Sequence, residues 1–236
     1  MIPFEKLWSD IENFYKIHGV NFSLGKKHRE YDDELFRTII EEKDKMIVET
    51  LDDIVKLEED VNKLNQNVDF SYRFKTETSI KNKLMNQTQV RQLYKVCNDI
   101  IGFRFIIRID SNGLMKMANA FVNSCPTDNI DCRLHDQRSG KTNDDGYKGI
   151  HVNLRMKHNL AFPIEVQFWT RQDALLNDYL HDNIYKTEDD DALIAYAVAL
   201  RQWLENVPIT PKGTDIKSYV DYLYEKAYSI DFGYDY

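Results

Sequence analysis

Two acidic residues, a scatter of cations and one short glycine–aromatic stretch are the parts of this chain whose types and spacing could do chemistry. Arg73-Phe74-Lys75 is followed by Ser79, Lys81 and Lys83. If a strand ends near Lys75 and a helix starts near Ser79, two cations, a hydroxyl and the free N–H groups of the helix start converge, which is how a triphosphate is commonly held. An N-cap serine beside solvated lysines accounts for the same residues. In Asn98-Asp99-Ile100-Ile101-Gly102-Phe103-Arg104, Asp99 stands at the mouth of an apolar strand. There it is either a cap or a ligand for magnesium, which takes one or two carboxylates and completes its shell with phosphates and water. Gly146-Tyr147-Lys148-Gly149-Ile150-His151 leads into another strand. Glu165 and Gln167 sit on one face of a third, among Phe162, Ile164, Val166 and Phe168. Two polar groups on so apolar a strand need a liganded or aqueous surface, a plain solvated sheet face being the simpler alternative.

The elements that must position these residues follow from periodicity. Apolar residues at helical spacing predict a helix over 3–18 and one long helix over 31–66, broken at most once. The alternation Val68, Phe70, Tyr72, Phe74 predicts a strand, and residues 78–97 return to helix. The β-branched run from Ile100 to Ile109 reads as a buried strand, Ser111-Asn112-Gly113 as a turn, and 114–124 as a helix. Strands are expected at 129–136, 149–157 and 162–169, the last two joined at His158-Asn159, then helices at 171–184, 190–206 and 215–229. The expected class is α+β, a mixed sheet of about five strands flanked by helices. Its divisions are an N-terminal helical segment (1–67), a core (68–186) and a C-terminal helical extension (187–236), all in one compact domain. No window approaches the ~18 apolar residues of a membrane span. Cys97, Cys125 and Cys132 match no zinc motif and no disulfide framework, which points to a reducing, cytoplasmic setting. A net charge of −8 argues against nucleic-acid binding by the surface as a whole, though not by a local basic patch.

Taken in order, RFKTETSIKNKL, NDIIGFRFIIRI, GYKGIH and IEVQFWT, with His181 and Tyr185-Lys186 one helix later, resemble the synthetase domain of the RelA/SpoT family. The family pattern runs R-x-K-x-x-x-S-x-x-x-K, D-I-x-G-x-R, G-Y-R-x-x-H, E-x-Q-x-R-T and a downstream histidine. The resemblance spans about residues 68–186 and implies a nucleotidyltransferase-like fold and a small synthetase. Such an enzyme moves the β,γ-pyrophosphate of ATP to a nucleotide 3′-hydroxyl with Mg2+ and releases AMP. It implies that Arg73 and Arg104 sandwich the adenine, that Lys75, Ser79 and Lys83 hold phosphates, and that Asp99 binds the metal. Glu165 matches the carboxylate that helps hold the metal and takes the acceptor's proton. Tyr147 matches the aromatic on which the acceptor base stacks, and Lys148, His151, Gln167 and His181 match supporting acceptor positions.

The chain departs from that pattern on the acceptor side. Lysines that grip the 5′-phosphates of GDP or GTP are replaced by Thr142 and Asn143, with Asp144 and Asp145 next, and the arginine after Gly-Tyr is Lys148. Carboxylates there repel a nucleotide diphosphate, and lysine lacks the bidentate fork of arginine. Ala174 occupies a position where an Asn or Asp helps to read guanine, and Leu180 one that is often Glu, with Asp173 as a neighbour that could compensate. These departures resemble the toxic small alarmone synthetases, some of which pyrophosphorylate the 3′-terminal adenosine of tRNA. By a narrow margin they favour a tRNA acceptor over GDP or GTP. Lys26, Lys27, His28 and Arg29, with Arg133 and Arg138, are the candidate contacts to the tRNA acceptor stem, a solvated loop being the alternative. A toxin of this kind would have a neutralising antitoxin protein as partner. The C-terminal tail from Ser229 to Tyr236 mixes aromatics and acids and is expected to fold back on the core.

Overall fold

A computed structural model describes residues 4–64, 67–139, 147–183 and 191–205, together with 218 and 221. It begins with α1 (Phe4–Ile17), a two-residue strand β1 (Lys27–His28), and the long helix α2 (Asp33–Leu64). There follow β2 (Val68–Phe74), α3 (Glu77–Met85), a second two-residue strand β3 (Arg91–Gln92), the single turn α4 (Leu93–Val96) and β4 (Ile101–Ile107). The remainder is α5 (Ser111–Asn123), β5 (Ile130–Asp136), β6 (Ile150–Met156), β7 (Ile164–Thr170), α6 (Arg171–Asn183) and α7 (Asp191–Glu205). The expected helix at 215–229 and the tail lie outside the described residues.

Five strands form one mixed sheet in the order β2-β4-β7-β6-β5. Only the β4–β7 pair is parallel; the other three pairs are antiparallel. Period-two alternation then divides the sheet into two chemically different faces. One carries Phe70, Phe103, Phe105, Val166, Phe168, Val152 and Leu154, all buried. Against this face pack the apolar stripes of α1 (Leu7, Trp8, Ile11), α2 (Ile39, Ile54, Leu57) and α5 (Leu114, Ala118, Phe121). Trp8 stacks on Phe121 with ring centroids 4.6 Å apart and donates its indole N–H to the Phe121 carbonyl at 2.9 Å. The other face carries the residues singled out above.

α2 also closes a sheet edge. Asn62 donates Nδ2–H to the Phe70 carbonyl at 2.9 Å and accepts the Phe70 N–H at 2.8 Å, so its amide stands in for a neighbouring strand on β2. The expectation of one long helix holds, and α2 runs without a break.

Two expected elements differ. The helix predicted over 78–97 stops at Met85, and the chain from Arg91 pairs with Lys27-His28 instead. Leu93 and Tyr94 donate their N–H groups to Lys26 and Leu24 carbonyls at 2.9 and 2.8 Å, so tertiary bonds outweigh local helical spacing. The turn read at Ser111-Asn112-Gly113 is the first turn of α5: Asp110 caps it by accepting the Gly113 N–H. The His158-Asn159 turn is as expected, with Asn159 at a φ of 57°.

Phe168 is fully buried between Phe105, at 5.2 Å centroid to centroid, and Phe121, at 5.7 Å. Truncation there leaves a cavity where three layers meet. Phe168→Ala should lower stability by about 3–5 kcal/mol, read as a lower urea midpoint at unchanged slope.

Candidate active site

Strand register assembles the polar face. Cα pairing aligns Arg73, Gly102, Glu165, Asn153 and Arg133 in one row across the sheet, and Ser71, Arg104, Gln167, His151 and His135 in the next. Directly paired residues share a face, so Arg73, Arg104, Glu165, Gln167 and His151 are brought together.

At one end of the first row, the Lys75 N–H bonds the Ile100 carbonyl at 2.9 Å, which brings the end of β2 beside the entry to β4. Lys75 Nζ lies 2.6 Å from one Asp99 oxygen and Lys83 Nζ 2.9 Å from the other. Lys83 also donates to Asn98 Oδ1 at 2.6 Å. Ser79 is one helical turn before Lys83, on the same side of α3. The N-cap of α3 is Thr76, which accepts the Ser79 N–H at 3.3 Å, so the capping alternative for Ser79 is replaced by a neighbouring residue. Ser79 is exposed in the first turn, and Lys81 leaves this group, its ammonium 5.8 Å from the Tyr31 ring centroid.

Glu165 stands in the middle of the sheet and is 7% exposed. One oxygen meets His151 Nδ1 at 3.0 Å; the other accepts from Gln167 Nε2 at 2.7 Å and lies 3.6 Å from Arg73 Nη2. Burial pushes this carboxyl up, but the hydrogen bond and charge of His151, then Arg73 and Gln167, outweigh it and hold it at about 2. It is ionised throughout the neutral range. The simple reading of β7 as a solvated face is overturned, because every residue of the strand is buried and its polar members are paired. Gly102 leaves room for Arg73: a Cβ there would lie 3.1 Å from Arg73 Cγ and Nε, and the side chain crosses β4 over the glycine toward Glu165.

Arg104 donates to Gln167 at 3.2 Å and to Asp178 of α6 at 3.0 Å, and its guanidinium lies 3.7 Å from the Trp169 ring centroid. Tyr147 is buried; its hydroxyl meets His151 Nε2 and accepts from Trp169 Nε1 at 3.1 Å. A chain of contacts therefore runs Trp169, Tyr147, His151, Glu165. Burial raises the Tyr147 phenol pKa, so it keeps its proton. The Lys148 backbone is gripped on both sides by Asn177, whose Nδ2 donates to the Lys148 carbonyl at 2.7 Å.

The start of α6 is a reciprocal cap. Thr170 Oγ1 accepts the Asp173 N–H at 3.0 Å and donates to Asp173 Oδ2 at 2.6 Å. The second Asp173 oxygen takes Arg201 Nη1 of α7 at 2.6 Å. Asp173 is thus held by α6 and α7, while Ala174 is buried against Tyr147 and Trp169.

Of the predicted tRNA contacts, Lys26, Lys27 and Arg29 are exposed on and beside the β1–β3 pair, whereas His28 is buried. Arg133 is exposed in the Glu165 row and paired with Asp131 at 3.0 Å. Arg138 is committed to Asp136 at 2.7 Å and to the Ser111 carbonyl at 2.8 Å. The His181 side chain, residues 141–146 and Tyr185-Lys186 lie outside what is described. Trp169, Asp178, Asn177 and Arg201 were not singled out from sequence. Trp169 was legible as a departure from E-x-Q-x-R-T and Thr170/Asp173 as a capping pattern; Asp178 and Arg201 act across the fold and carried no local signal.

The donor set fits a magnesium that arrives with its nucleotide. Among the described residues no cluster of three His, Cys, Asp or Glu could hold a metal unaided, so Asp99 and Glu165 would need phosphate oxygens to complete the shell. No described helix is long and apolar enough to cross a membrane. Cys97 is buried, which pushes its thiol up to about 12 and removes it as a nucleophile.

The family model described as "Region found in RelA / SpoT proteins" matches residues 72–190, half of the chain. No curated protein sequence matches. Among solved structures, small alarmone synthetase 1 from Bacillus subtilis bound to its product pppGpp superposes with a TM-score of 0.51 at 11% identity. That match covers 79% of this chain and 97% of the other. A second structure of small alarmone synthetase 1 from Bacillus subtilis gives the same four values. Small alarmone synthetase 2 from the same organism is 20% identical over 78% of this chain and 91% of its own, with a TM-score of 0.47. At these identities the likeness is one of fold, and it agrees with the α+β class and the five-stranded mixed sheet.

Asp99→Asn and Glu165→Gln are each expected to abolish transfer while leaving the circular dichroism spectrum and unfolding cooperativity intact. Both carboxylates face lysines or arginines on the polar face and neither packs the core. Near-normal turnover of either variant at saturating magnesium would falsify their assignment to the chemistry.

Proposed function

The chain belongs to the RelA/SpoT family and is a pyrophosphokinase, and from that premise we propose that its acceptor is the 3′-terminal adenosine of tRNA. The product is a tRNA end that can no longer be charged, the action of a translation-inhibiting toxin kept in check by an antitoxin protein.

In the reaction, the acceptor 3′-oxygen attacks the β-phosphorus of ATP. The bond from that phosphorus to the oxygen bridging to the α-phosphate breaks, and AMP leaves with the bridging oxygen. The hydroxyl proton passes to Glu165, which is ionised and held in one orientation by His151 and Gln167. Lys75, Lys83 and Ser79 hold the phosphates, and Arg73 and Arg104 flank the adenine, as the family pattern has them. Tyr147, Lys148, His151, Gln167 and His181 serve the acceptor. Magnesium, held by Asp99 and Glu165 together with the nucleotide, would draw off charge that grows on the phosphate oxygens.

One observation carries the choice of acceptor. Asp173, the neighbour that could have replaced a guanine-reading side chain at Ala174, is spent on Thr170 and Arg201. Among the described residues, the Ala174 side of Tyr147 therefore offers methyl and indole surface, and such surface selects a guanine edge poorly. Thr142, Asn143, Asp144 and Asp145, in place of a lysine clamp, support the same reading from sequence. Arg133 lies two strands from Glu165, about 10 Å by strand spacing, and supports a phosphodiester beyond the terminal nucleoside. GDP or GTP as acceptor is the second reading, favoured by the pppGpp found on the Bacillus subtilis synthetase of the same fold.

The two readings separate in one assay. With γ-labelled ATP and either bulk tRNA, GDP or GTP, label is expected in tRNA and little in nucleotides. Lys26→Glu with Lys27→Glu should weaken tRNA labelling and flatten its salt dependence, because fewer counterions are released on binding. Rapid (p)ppGpp synthesis with unlabelled tRNA would show the acceptor to be a guanine nucleotide.

A further inference from the structure

Trp169 stands between the donor and acceptor halves of the site, at the position where the E-x-Q-x-R-T pattern has arginine. It is buried in a small cluster with Tyr147 and Ala174. Two different features of its ring are in use. The indole face carries the Arg104 guanidinium, 3.7 Å from the ring centroid. The indole N–H donates to the Tyr147 hydroxyl at 3.1 Å, with the two rings edge to face at 78°. The neighbouring chain leaves room for it: a Cβ at Gly149 would lie 2.8 Å from both Cδ1 and Nε1 of the indole. Trp169 and Gly149 are therefore a matched pair.

We propose that Trp169 is a positioning residue that orients Arg104 through its π face and Tyr147 through its N–H, so that one ring sets the donor and acceptor contacts together. The inference rests on Arg104 serving ATP and Tyr147 serving the acceptor. Arginine at 169 could not play both parts, since it offers Arg104 a like charge and no aromatic face. The exchange also removes a positive charge from the floor of the acceptor side, in keeping with an acceptor that brings no terminal diphosphate there.

The two contacts separate by substitution, with kcat and both KM values measured for each variant. Trp169→Phe keeps an aromatic face but loses the N–H. It should raise the acceptor KM about fivefold, the equivalent of one hydrogen bond, and leave the ATP KM within about twofold, since Phe also supports a cation–π contact. Trp169→Leu loses both features and should raise both KM values. Gly149→Ala, which displaces the indole, should reproduce the Leu pattern, and Gly149→Ala with Trp169→Leu should be no worse than either alone. A residue that merely fills space would move both KM values together in the Phe variant, or would give single effects that multiply in the double variant. Either result overturns the proposal. Should Trp169→Leu fail to unfold cooperatively, the contrast between Trp169→Phe and Gly149→Ala decides the matter by the same criterion. Wild-type protein that labels no acceptor sinks the proposed reaction instead. Binding of a non-hydrolysable ATP analogue then tests the donor contact, weakened in Gly149→Ala and retained in Trp169→Phe if the proposal holds.

Discussion

Everything at the candidate site depends on the register of β7 between β4 and β6. Gly102, Glu165 and Asn153 are level with one another, as are Arg104, Gln167 and His151. A slip of one residue would turn Glu165 and Gln167 toward the helices and present Ile164, Val166 and Phe168 to the ligand. The slip is opposed by the opposite face, where Val166 and Phe168 are fully buried against Phe105, Phe121 and the helices beneath. The core on one side of the sheet therefore holds the chemistry on the other. A carboxylate at 7% exposure is tolerated in so apolar a strand because His151, Gln167 and Arg73 surround it.

The same economy of pairing runs through the site. Asp99 satisfies Lys75 and Lys83, Glu165 satisfies Arg73 and His151, and Asp178 satisfies Arg104. Lys75 uses one of its three N–H donors on Asp99 and Lys83 two on Asp99 and Asn98, which leaves donors for the phosphates of the proposed reading. Magnesium in that reading would arrive with the nucleotide, since no cluster among the described residues could hold it by itself.

Much of this was legible in the sequence because it is local. Helical spacing gives α1 and α2 within a few residues of their observed ends, alternation gives β2, and the strands expected at 129–136, 149–157 and 162–169 coincide with β5, β6 and β7. The four motifs named the residues that the polar face brings together, since each motif sits on a strand or at its mouth. What escaped was non-local. The stretch after Met85 has the spacing of a helix, but Leu24 and Lys26 carbonyls claim its N–H groups. Capping of α3 falls to Thr76, three residues before Ser79, and the Ser79 hydroxyl accepts from Thr76 Oγ1 at 2.9 Å. Arg138, read as a surface cation, is consumed by Asp136 and Ser111. Asp178 and Arg201 gain their partners only when α6 and α7 pack on the sheet and on each other.

The donor and acceptor halves differ in how they are built, and that difference explains which half the motifs could specify. Donor residues lie on β2, β4 and α3, whose backbone is tied by strand pairing and by the Lys75–Ile100 bond. Their identity follows the family pattern residue by residue. The acceptor half is built around α6, whose first turn is locked by Thr170 and Asp173 and clamped by Arg201 from α7. Asn177, one turn further on, fixes the Lys148 backbone and also receives Arg201 Nη2 at 3.0 Å. Asp173 and Asn177 are thus turned inward to join helices, and the apolar neighbours of Tyr147 among the described residues are Ala174 and the Trp169 indole. For the proposed acceptor, a wall of that kind selects by shape and stacking and not by reading hydrogen bonds at a base edge. In the proposed reading, discrimination then comes from contacts outside the base pocket, where a polymeric acceptor has phosphates to offer and a free nucleotide has only its own.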